Sequence, residues 1–183
     1  MLHKLFQLCL DTGKIPSVWR KAIICPIPKD EKLDQKVPLN YRGISLLCCS
    51  AKMYTSLLNN RLDGFLSAEG ALLDEQNGFR KDRSCQDHKY ALDSIIRNRF
   101  NDSLSTFCAF IDLQKAFDCV NRDFLMYKLL NVGIDGKIYF AIRNIYSMTE
   151  SSVRLCNNVH YEWIKTLYGV RHGDSLSTTL FAV

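Results

Sequence analysis

Residues 107–118, Phe-Cys-Ala-Phe-Ile-Asp-Leu-Gln-Lys-Ala-Phe-Asp, join an apolar run to two carboxylates and decide how the chain is interpreted. Every residue from 107 to 111 is apolar, which predicts a strand over Thr106–Ile111 with both faces covered. Asp112 ends this run, and a carboxylate at the end of a rigid strand is a candidate ligand for a divalent cation. The same pattern also allows a simpler interpretation, in which Asp112 and Asp118 only cap or pair within the following turn.

The composition of the chain is that of one ordinary globular domain. Its 183 residues are 47% hydrophobic and 23% charged, with a net charge of +5. No stretch approaches the ~20 apolar residues of a membrane span, and no secretory signal is recognisable. The eight cysteines form no C-x-x-C pair, and no histidine lies at zinc-ligand spacing from one. We therefore expect reduced cysteines in the core and no structural zinc.

Hydrophobic periodicity and turn residues predict a mixture of helices and strands without a regular βαβ alternation, which indicates an α+β fold. In the first part of the chain we expect a helix over Met1–Leu10 ending near Gly13, an edge strand over Ala22–Ile27, a polar loop over Lys29–Leu39, a helix over Ser45–Phe65, a polar segment over 76–84 and a helix over Asp87–Arg99. After the 106–111 strand we expect a helix over Phe124–Leu130 capped by Asn121 or Asp123, a helix from Asp135, a hairpin around Asn157-Asn158, a polar loop over Gly169–Asp174 and a helix from Ser175.

A basic cluster follows Gly78. Arg80, Lys81 and Arg83 lie within four residues of one another. A solvated loop is the ordinary explanation for such a triplet, whereas a phosphate-contacting surface is the functional one, because arginine binds phosphate oxygens bidentately. The cluster does not decide between them by itself.

Five motifs in a fixed order extend this pattern over almost the whole chain. Taken together, the sequence resembles the reverse transcriptases of non-LTR, LINE-type retrotransposons. The segments that carry the resemblance are Pro16 and Trp19 with Ala22–Lys29, then Tyr41–Leu47, Gln76–His88, Phe107–Asp118 and Gly169–Ser177.

The resemblance implies a right-hand polymerase with an incomplete palm and no thumb. Fingers with adjoining palm elements would occupy about residues 1–105, and a truncated palm would occupy about residues 106–183. The implied activity is RNA-directed DNA polymerisation, which joins deoxynucleoside triphosphates to a DNA primer on an RNA template. Two Mg²⁺ ions are expected in a complete domain, with Mn²⁺ as a substitute.

The same resemblance implies roles for individual residues near the chemistry. Asp112 matches the first catalytic aspartate, a ligand of both metal ions, and Leu113 falls where a backbone carbonyl often ligates metal. Phe117 matches the bulky residue that excludes a 2′-hydroxyl. An ordinary core aromatic stays the alternative interpretation of Phe117.

Further implied roles concern the triphosphate and the template. Arg80 matches the arginine of the fingers that grips the triphosphate, and Arg42 is a less specific partner of nucleotide or template. His172 and Gly173 would line the nucleotide pocket. Lys81 and Arg83 are expected to contact nucleic acid.

Several positions depart from the family pattern, among them Ser175 and Thr178, where prolines are usual. Gly43 replaces a proline and is expected to loosen its loop, and His172 replaces a glutamine. Asp174 is expected to place a negative charge beside the triphosphate pocket and to weaken substrate binding. No aromatic-x-Asp-Asp motif occurs in residues 1–183. One metal-ligating aspartate does not hold two Mg²⁺ ions, so we expect the fragment to be inactive.

Two other functions stay open. One is a non-catalytic remnant of a retroelement that still binds nucleic acid through its basic residues. The other is a group II intron reverse transcriptase or maturase, which shares the polymerase motifs. No targeting signal is readable, and the resemblance alone implies a nuclear or cytoplasmic ribonucleoprotein location.

Overall fold

A computed structural model describes residues 1–155 and 160–183 of the chain. The helices are α1 (Leu2–Thr12), α2 (Cys49–Ala68), α3 (Cys85–Asn101), α4 (Arg122–Asn131), α5 (Gly136–Tyr146) and α6 (Ser175–Ala182). The strands are β1 (Lys21–Pro28), β2 (Tyr41–Leu46), β3 (Glu150–Val153) and β4 (Ile164–Lys165). The predicted α+β class is confirmed. The hairpin turn predicted at Asn157-Asn158 lies outside the described residues.

The four strands form one sheet in the order β2-β1-β3-β4. β1 pairs antiparallel with β2 and parallel with β3, and β3 pairs antiparallel with β4. The prediction of an edge strand for 22–27 is therefore wrong, because β1 is central. Pro26 and Pro28 are tolerated because they lie beyond Lys21–Ile24, the residues that pair with β3, and have only β2 beside them.

The sheet joins the two parts of the chain that the sequence divides near residue 105. β1 and β2 come from the first part, whereas β3 and β4 come from the second. Helices α2 and α6 also pack together across this division. The boundary itself stays a prediction.

The hydrophobic core lies between α2 and the helices of the second half. Leu58, Leu62 and Leu66 follow one face of α2 at helical spacing and are at most 1% exposed. Burying each of these side chains is worth about 1.5–3 kcal/mol. The residues that meet them from α4, α5 and α6 include Leu129, Ile142, Ile145, Leu176 and Leu180.

Capping residues mark several helix ends, and two of them, Gly13 and Asn121, were predicted from the sequence. Gly13 follows α1 in the left-handed conformation, with φ of 68°. The side chain of Asn121 accepts a hydrogen bond from the Phe124 amide at 3.0 Å and begins α4. Ser84 and Asp87 form a reciprocal capping box at the start of α3.

Two of the predicted elements are wrong. Residues 106–111 form no strand but an irregular exposed segment, in which Phe107 and Ile111 are 95% and 88% exposed. A strand needs a hydrogen-bonded neighbour, and none of the four strands in the described part of the chain pairs with this segment. The helix predicted over Ser45–Phe65 begins only at Cys49, because Tyr41–Leu46 pairs with β1.

No helix in the described residues is both long enough and apolar enough to cross a lipid bilayer.

Candidate functional site

A cleft of about 630 Å³ lies between the sheet and the turn that precedes α4. Arg42, Gly43 and Ser45 of β2 line it. Phe117 and His172 line it as well. The structure thus brings together three residues that the sequence assigned to one site, Arg42, Phe117 and His172, although they lie more than fifty residues apart along the chain.

Backbone hydrogen bonds fix the loop that carries His172. The Ser45 amide of β2 donates to the His172 carbonyl at 2.7 Å. On the other side, the Val170 amide donates to the Phe117 carbonyl at 2.9 Å, and the Gly169 amide donates to the Val120 carbonyl at 2.8 Å. The loop therefore connects the strand wall of the cleft to the turn that bears Phe117.

Both glycines of this loop are required by its conformation. Gly169 has φ of +82°, and a Cβ there would lie 2.9 Å from the Asp118 carbonyl oxygen and 3.0 Å from that of Phe117. Gly173 has φ of +108°, and a Cβ would lie 3.3 Å from the Ser45 carbonyl oxygen. The sequence suggested that this glycine-flanked loop lets backbone approach a nucleotide, whereas the structure shows an approach of backbone to backbone.

Three aromatic rings surround the ring of Phe117. Phe181 of α6 stacks on it at 4.8 Å between ring centroids and an angle of 11°. His172 lies at 5.2 Å, and Phe79 meets the ring edge-on at 5.7 Å. We call Phe79, Phe117, His172 and Phe181 the aromatic cluster. The sequence motifs imply no role for Phe79 or Phe181, although Phe79 lies inside the segment Gln76–His88.

The charged side chains at the cleft are mostly basic. Lys29, Arg42 and Lys115 are exposed cations on its lining, and Asp118 is an exposed anion there. Cations that converge on a concave surface attract anionic ligands. The cleft can therefore bind an anion of small-molecule size, since its volume is typical of such sites.

Gly43 lies within β2, opposite Pro26, and not in a loop. A Cβ at this position would lie 2.9 Å from Cγ2 of Ile24. The expectation of a loosened loop is wrong, because the small residue fits a strand pairing against a β-branched side chain.

Arg122 lines the cleft and links the elements around it through hydrogen bonds. Its guanidinium donates to the carbonyl oxygens of Gly169, Tyr146, Thr166 and Tyr168 and to Oγ1 of Thr149, at 2.7–3.1 Å. It also lies over the Tyr146 ring, 5.2 Å from the centroid. Burial lowers the pKa of this guanidinium, but arginine stays charged in proteins. We call this network of hydrogen bonds the Arg122 brace, and no sequence motif predicts it.

The residues predicted to bind metal lie outside the cleft. Asp112 and Leu113 are exposed, in the irregular segment before the turn, and neither lines the cleft. Within residues 1–155 and 160–183, no group of three or more histidine, cysteine or carboxylate side chains is placed to hold a metal ion. The assignment of Asp112 and Leu113 as metal ligands stays a prediction.

The basic cluster is largely occupied by contacts within its own loop. Arg80 donates to the carbonyl oxygen of Leu73 at 2.7 Å, and Arg83 pairs with Asp74 at 2.9 Å. Lys81 is exposed. None of the three basic residues lines the cleft in the described structure, and their proposed contacts with phosphate stay predictions.

Asp174 was expected beside the triphosphate pocket, but it does not line the cleft. It is 3% exposed and caps α6, with its carboxylate accepting from the Leu176 amide at 3.4 Å. Burial raises the pKa of this carboxyl group, and Thr55, the Leu176 amide and Arg171 oppose that rise. The expected repulsion of a triphosphate is therefore wrong for this conformation, because the charge is directed into the protein.

A larger cavity of about 890 Å³ lies beyond Arg122, next to α5 and β4. Arg143, Met148 and Leu167 are among its lining residues. It is lined by none of the residues that the sequence assigned to the site, so the smaller cleft is the better candidate.

Comparison with known protein families identifies the family of the chain. The model of the family described as reverse transcriptase (RNA-dependent DNA polymerase) matches residues 27–183. The chain therefore belongs to the reverse transcriptase family.

The chain is similar to curated proteins of mobile elements. It is 30% identical over its whole length to a probable RNA-directed DNA polymerase from transposon BS of Drosophila melanogaster, covering 20% of that protein. It is 27% identical to a Pol polyprotein from a type-1 retrotransposable element R2 of Popillia japonica, over 96% of this chain and 24% of that one. It is also 27% identical, over its whole length, to the RNA-directed DNA polymerase of the Drosophila melanogaster mobile element jockey, covering 20% of that protein. The predicted resemblance to non-LTR retrotransposon reverse transcriptases is confirmed, and the chain spans about a fifth of the length of these relatives.

Proposed function

We propose that this chain supplies the nucleotide-binding face of an RNA-directed DNA polymerase of a non-LTR retrotransposon. The observation that carries the proposal is the cleft in which Arg42, Phe117 and His172 meet. Family membership supports the reaction class, and the cleft supports the position of the nucleotide. The template would be RNA, the primer DNA and the substrates deoxynucleoside triphosphates.

The side chains that line the cleft include both charged and aromatic groups. Lys29, Arg42 and Lys115 would face the triphosphate oxygens, because arginine and lysine stabilise phosphate charge at close range. Phe117 and His172 present rings that would contact the sugar and base. An aromatic ring at the 2′ position disfavours a ribonucleotide by steric clash and by desolvation of the extra hydroxyl group.

The proposal includes a divalent metal ion, for which this chain supplies part of the ligand set. Reverse transcriptases generally use divalent metal ions. Asp112 offers the hard oxygen ligand that Mg²⁺ prefers, but one exposed carboxylate does not make up a magnesium site in the described residues. We propose that Asp112, with the Leu113 carbonyl, supplies part of the ligand set for Mg²⁺ or Mn²⁺. The bound metal would stabilise the charge of the transferring phosphoryl group.

The remaining assignments are also proposals. Residues up to about 105 would form the fingers and the rest part of the palm. Arg80 would reach the triphosphate only after releasing the Leu73 carbonyl. Lys81 is free of such contacts in the described structure and would meet nucleic acid, as would Arg83 if its pairing with Asp74 opened.

Calorimetric titration of the chain with dATP tests the cleft. We expect Arg42→Gln to weaken binding by about tenfold or more, because a hydrogen bond to a charged group is lost. Lys29→Gln and Lys115→Gln should weaken binding in the same direction. The matched control is Arg143→Gln, since Arg143 is exposed and lines the other cavity.

Weaker binding of dATP by Arg42→Gln, together with wild-type affinity in Arg143→Gln, supports the proposal. Equal losses in Arg42→Gln and Arg143→Gln would point to a non-specific electrostatic effect and overturn it. Absence of dATP binding by the wild-type chain would overturn it as well.

A further inference from the structure

Phe79 adopts a backbone conformation that phenylalanine rarely takes. Its φ is +62°, in the left-handed region. Bulky residues without glycine's freedom occupy this region only where surrounding contacts hold them there. The side chain is half exposed, so burial in the core does not explain the conformation.

The conformation places the Phe79 ring against the aromatic cluster. The ring lies 5.7 Å from Phe117 at 81° and 6.3 Å from Phe181 at 89°. Both are edge-to-face contacts, the geometry that aromatic pairs favour. Phe79 therefore contacts two rings that are themselves stacked in parallel.

The three partners of Phe117 come from separate parts of the fold. Phe181 lies on α6, His172 on the loop pinned to β2, and Phe79 on the 76–84 segment that also carries Arg80. A half-buried ring with free volume around it would change rotamer readily. Contacts from three sides restrict the ring of Phe117 to one orientation.

We propose that Phe79 is a positioning residue for the Phe117 ring, and that it thereby contributes to discrimination between deoxyribonucleotides and ribonucleotides. The inference rests on the proposed function, in which Phe117 faces the sugar. Phe79 acts through Phe117, because its ring contacts Phe117 and it does not line the cleft itself.

Paired titrations with dATP and ATP, which differ only at the 2′ position, measure the consequence. We expect Phe79→Leu to reduce the preference for dATP by about tenfold, mainly through tighter binding of ATP, because the Phe117 ring no longer stays in place. Phe79→Tyr retains the ring and should retain the preference. The control Phe140→Leu removes a half-exposed ring on α5 whose aromatic partner is Tyr139.

An unchanged ratio in Phe79→Leu would overturn the proposal, provided that Phe117→Val lowers the ratio. So would an equal change in Phe140→Leu. Thermal unfolding of each variant shows whether the variant is still folded. A change in the ratio that occurs only with loss of folding would also overturn the proposal.

A measurement without nucleotide separates this inference from the proposed function. His172 lies 5.2 Å from the Phe117 ring, so the ring current of Phe117 shifts the imidazole proton resonances of His172. His172→Asn assigns those resonances among the four histidines. We expect Phe79→Leu to move them and Phe140→Leu to leave them in place.

If the wild-type chain binds neither nucleotide, the proposed function fails. The positioning of Phe117 by Phe79 is then supported by a moved His172 resonance and overturned by an unmoved one.

Discussion

Nε of Arg122 donates to the carbonyl oxygen of Gly169 at 2.9 Å, across a separation of 47 residues. This contact links the first residue of α4 to the loop that carries His172. The same loop contacts the backbone of Phe117 and of Ser45. The relative position of these segments of the cleft therefore depends on Arg122, which itself lines the cleft.

Replacing Arg122 by lysine tests this brace. Lysine keeps the charge but lacks the planar fork, so most of the five hydrogen bonds are lost and carbonyl groups are left without donors. We expect the free energy of unfolding to fall by about 2 kcal/mol, and Tm by about 6 °C for a domain of this size. Thermal unfolding followed by circular dichroism measures the change.

Arg143→Lys is the matched control for Arg122, because Arg143 lies on α5 and its side chain is exposed. It should change Tm by less than about 1 °C. Equal shifts in the two variants would show that the network of Arg122 contributes no special stability.

The substitution Gly169→Ala tests the close approach of two backbones. The Cβ would meet the carbonyl oxygens of Asp118 and Phe117 at 2.9 and 3.0 Å, in a residue with φ of +82°. We expect a loss of about 2–4 kcal/mol, since neither backbone group moves without shifting the turn. Urea unfolding monitored by the fluorescence of Trp19 and Trp163 measures it.

Gly64→Ala provides the opposite result. Gly64 lies on the exposed face of α2, and a Cβ there has no neighbour within 4 Å. Alanine should stabilise the protein by about 0.5–1 kcal/mol through its higher helix propensity. A stabilising Gly169→Ala would contradict the backbone contact described for the loop.

The comparison of these two glycines illustrates what sequence reasoning reaches. Helices α4 and α6 follow from local signals, because the capping side chains of Asn121 and Asp174 lie beside the amides that they bind. The crowding at Gly169 arises from a residue fifty positions earlier and has no local signature. Contacts of that kind depend on the whole fold.

The candidate site divides in the same way. Motif order identified Arg42, Phe117 and His172, which the structure brings to one cleft. It did not identify Phe79 or Phe181, whose contacts with the Phe117 ring are seen only in the folded structure. The strand expected at 106–111 was wrong because an apolar run indicates preference for a sheet and does not supply the neighbouring strand.

Two tyrosines of the core give a paired test of buried hydroxyl groups. Within the described residues, the Tyr54 hydroxyl is buried and has no hydrogen-bond partner, and burial raises the pKa of Tyr54 to about 12. Tyr54→Phe removes an unsatisfied polar group and should stabilise the protein by about 1 kcal/mol. The Tyr146 hydroxyl instead lies 3.0 Å from Oγ of Ser177.

Tyr146→Phe should therefore destabilise the protein by about 1–2 kcal/mol, because it leaves the fully buried Ser177 hydroxyl without its partner. Urea denaturation of both variants gives the two signs directly. Destabilisation by Tyr54→Phe equal to that by Tyr146→Phe would mean that the Tyr54 hydroxyl has a partner after all.

Asp174 makes the stability of the fold depend on pH. Burial raises the pKa of this carboxyl group in the folded protein, and this effect exceeds the opposing effect of Thr55. Between its pKa in the unfolded chain and the higher pKa in the folded one, the folded state holds the proton more strongly. Stability is therefore greater at the acid end of this window and falls as the pH rises through it.

Asp174→Asn should abolish this fall, because asparagine keeps a side-chain oxygen for the Leu176 amide and carries no charge to desolvate. We expect the variant to become the more stable protein as the pH rises through this window, because only the wild type must then bury a charge. Urea midpoints measured across this range give the comparison, with Asp135→Asn, at the exposed start of α5, as the control. A variant that is less stable than the wild type at both ends of the range would show that the Asp174 anion is instead stabilised by Arg171, since their attraction would then exceed the cost of burying the charge.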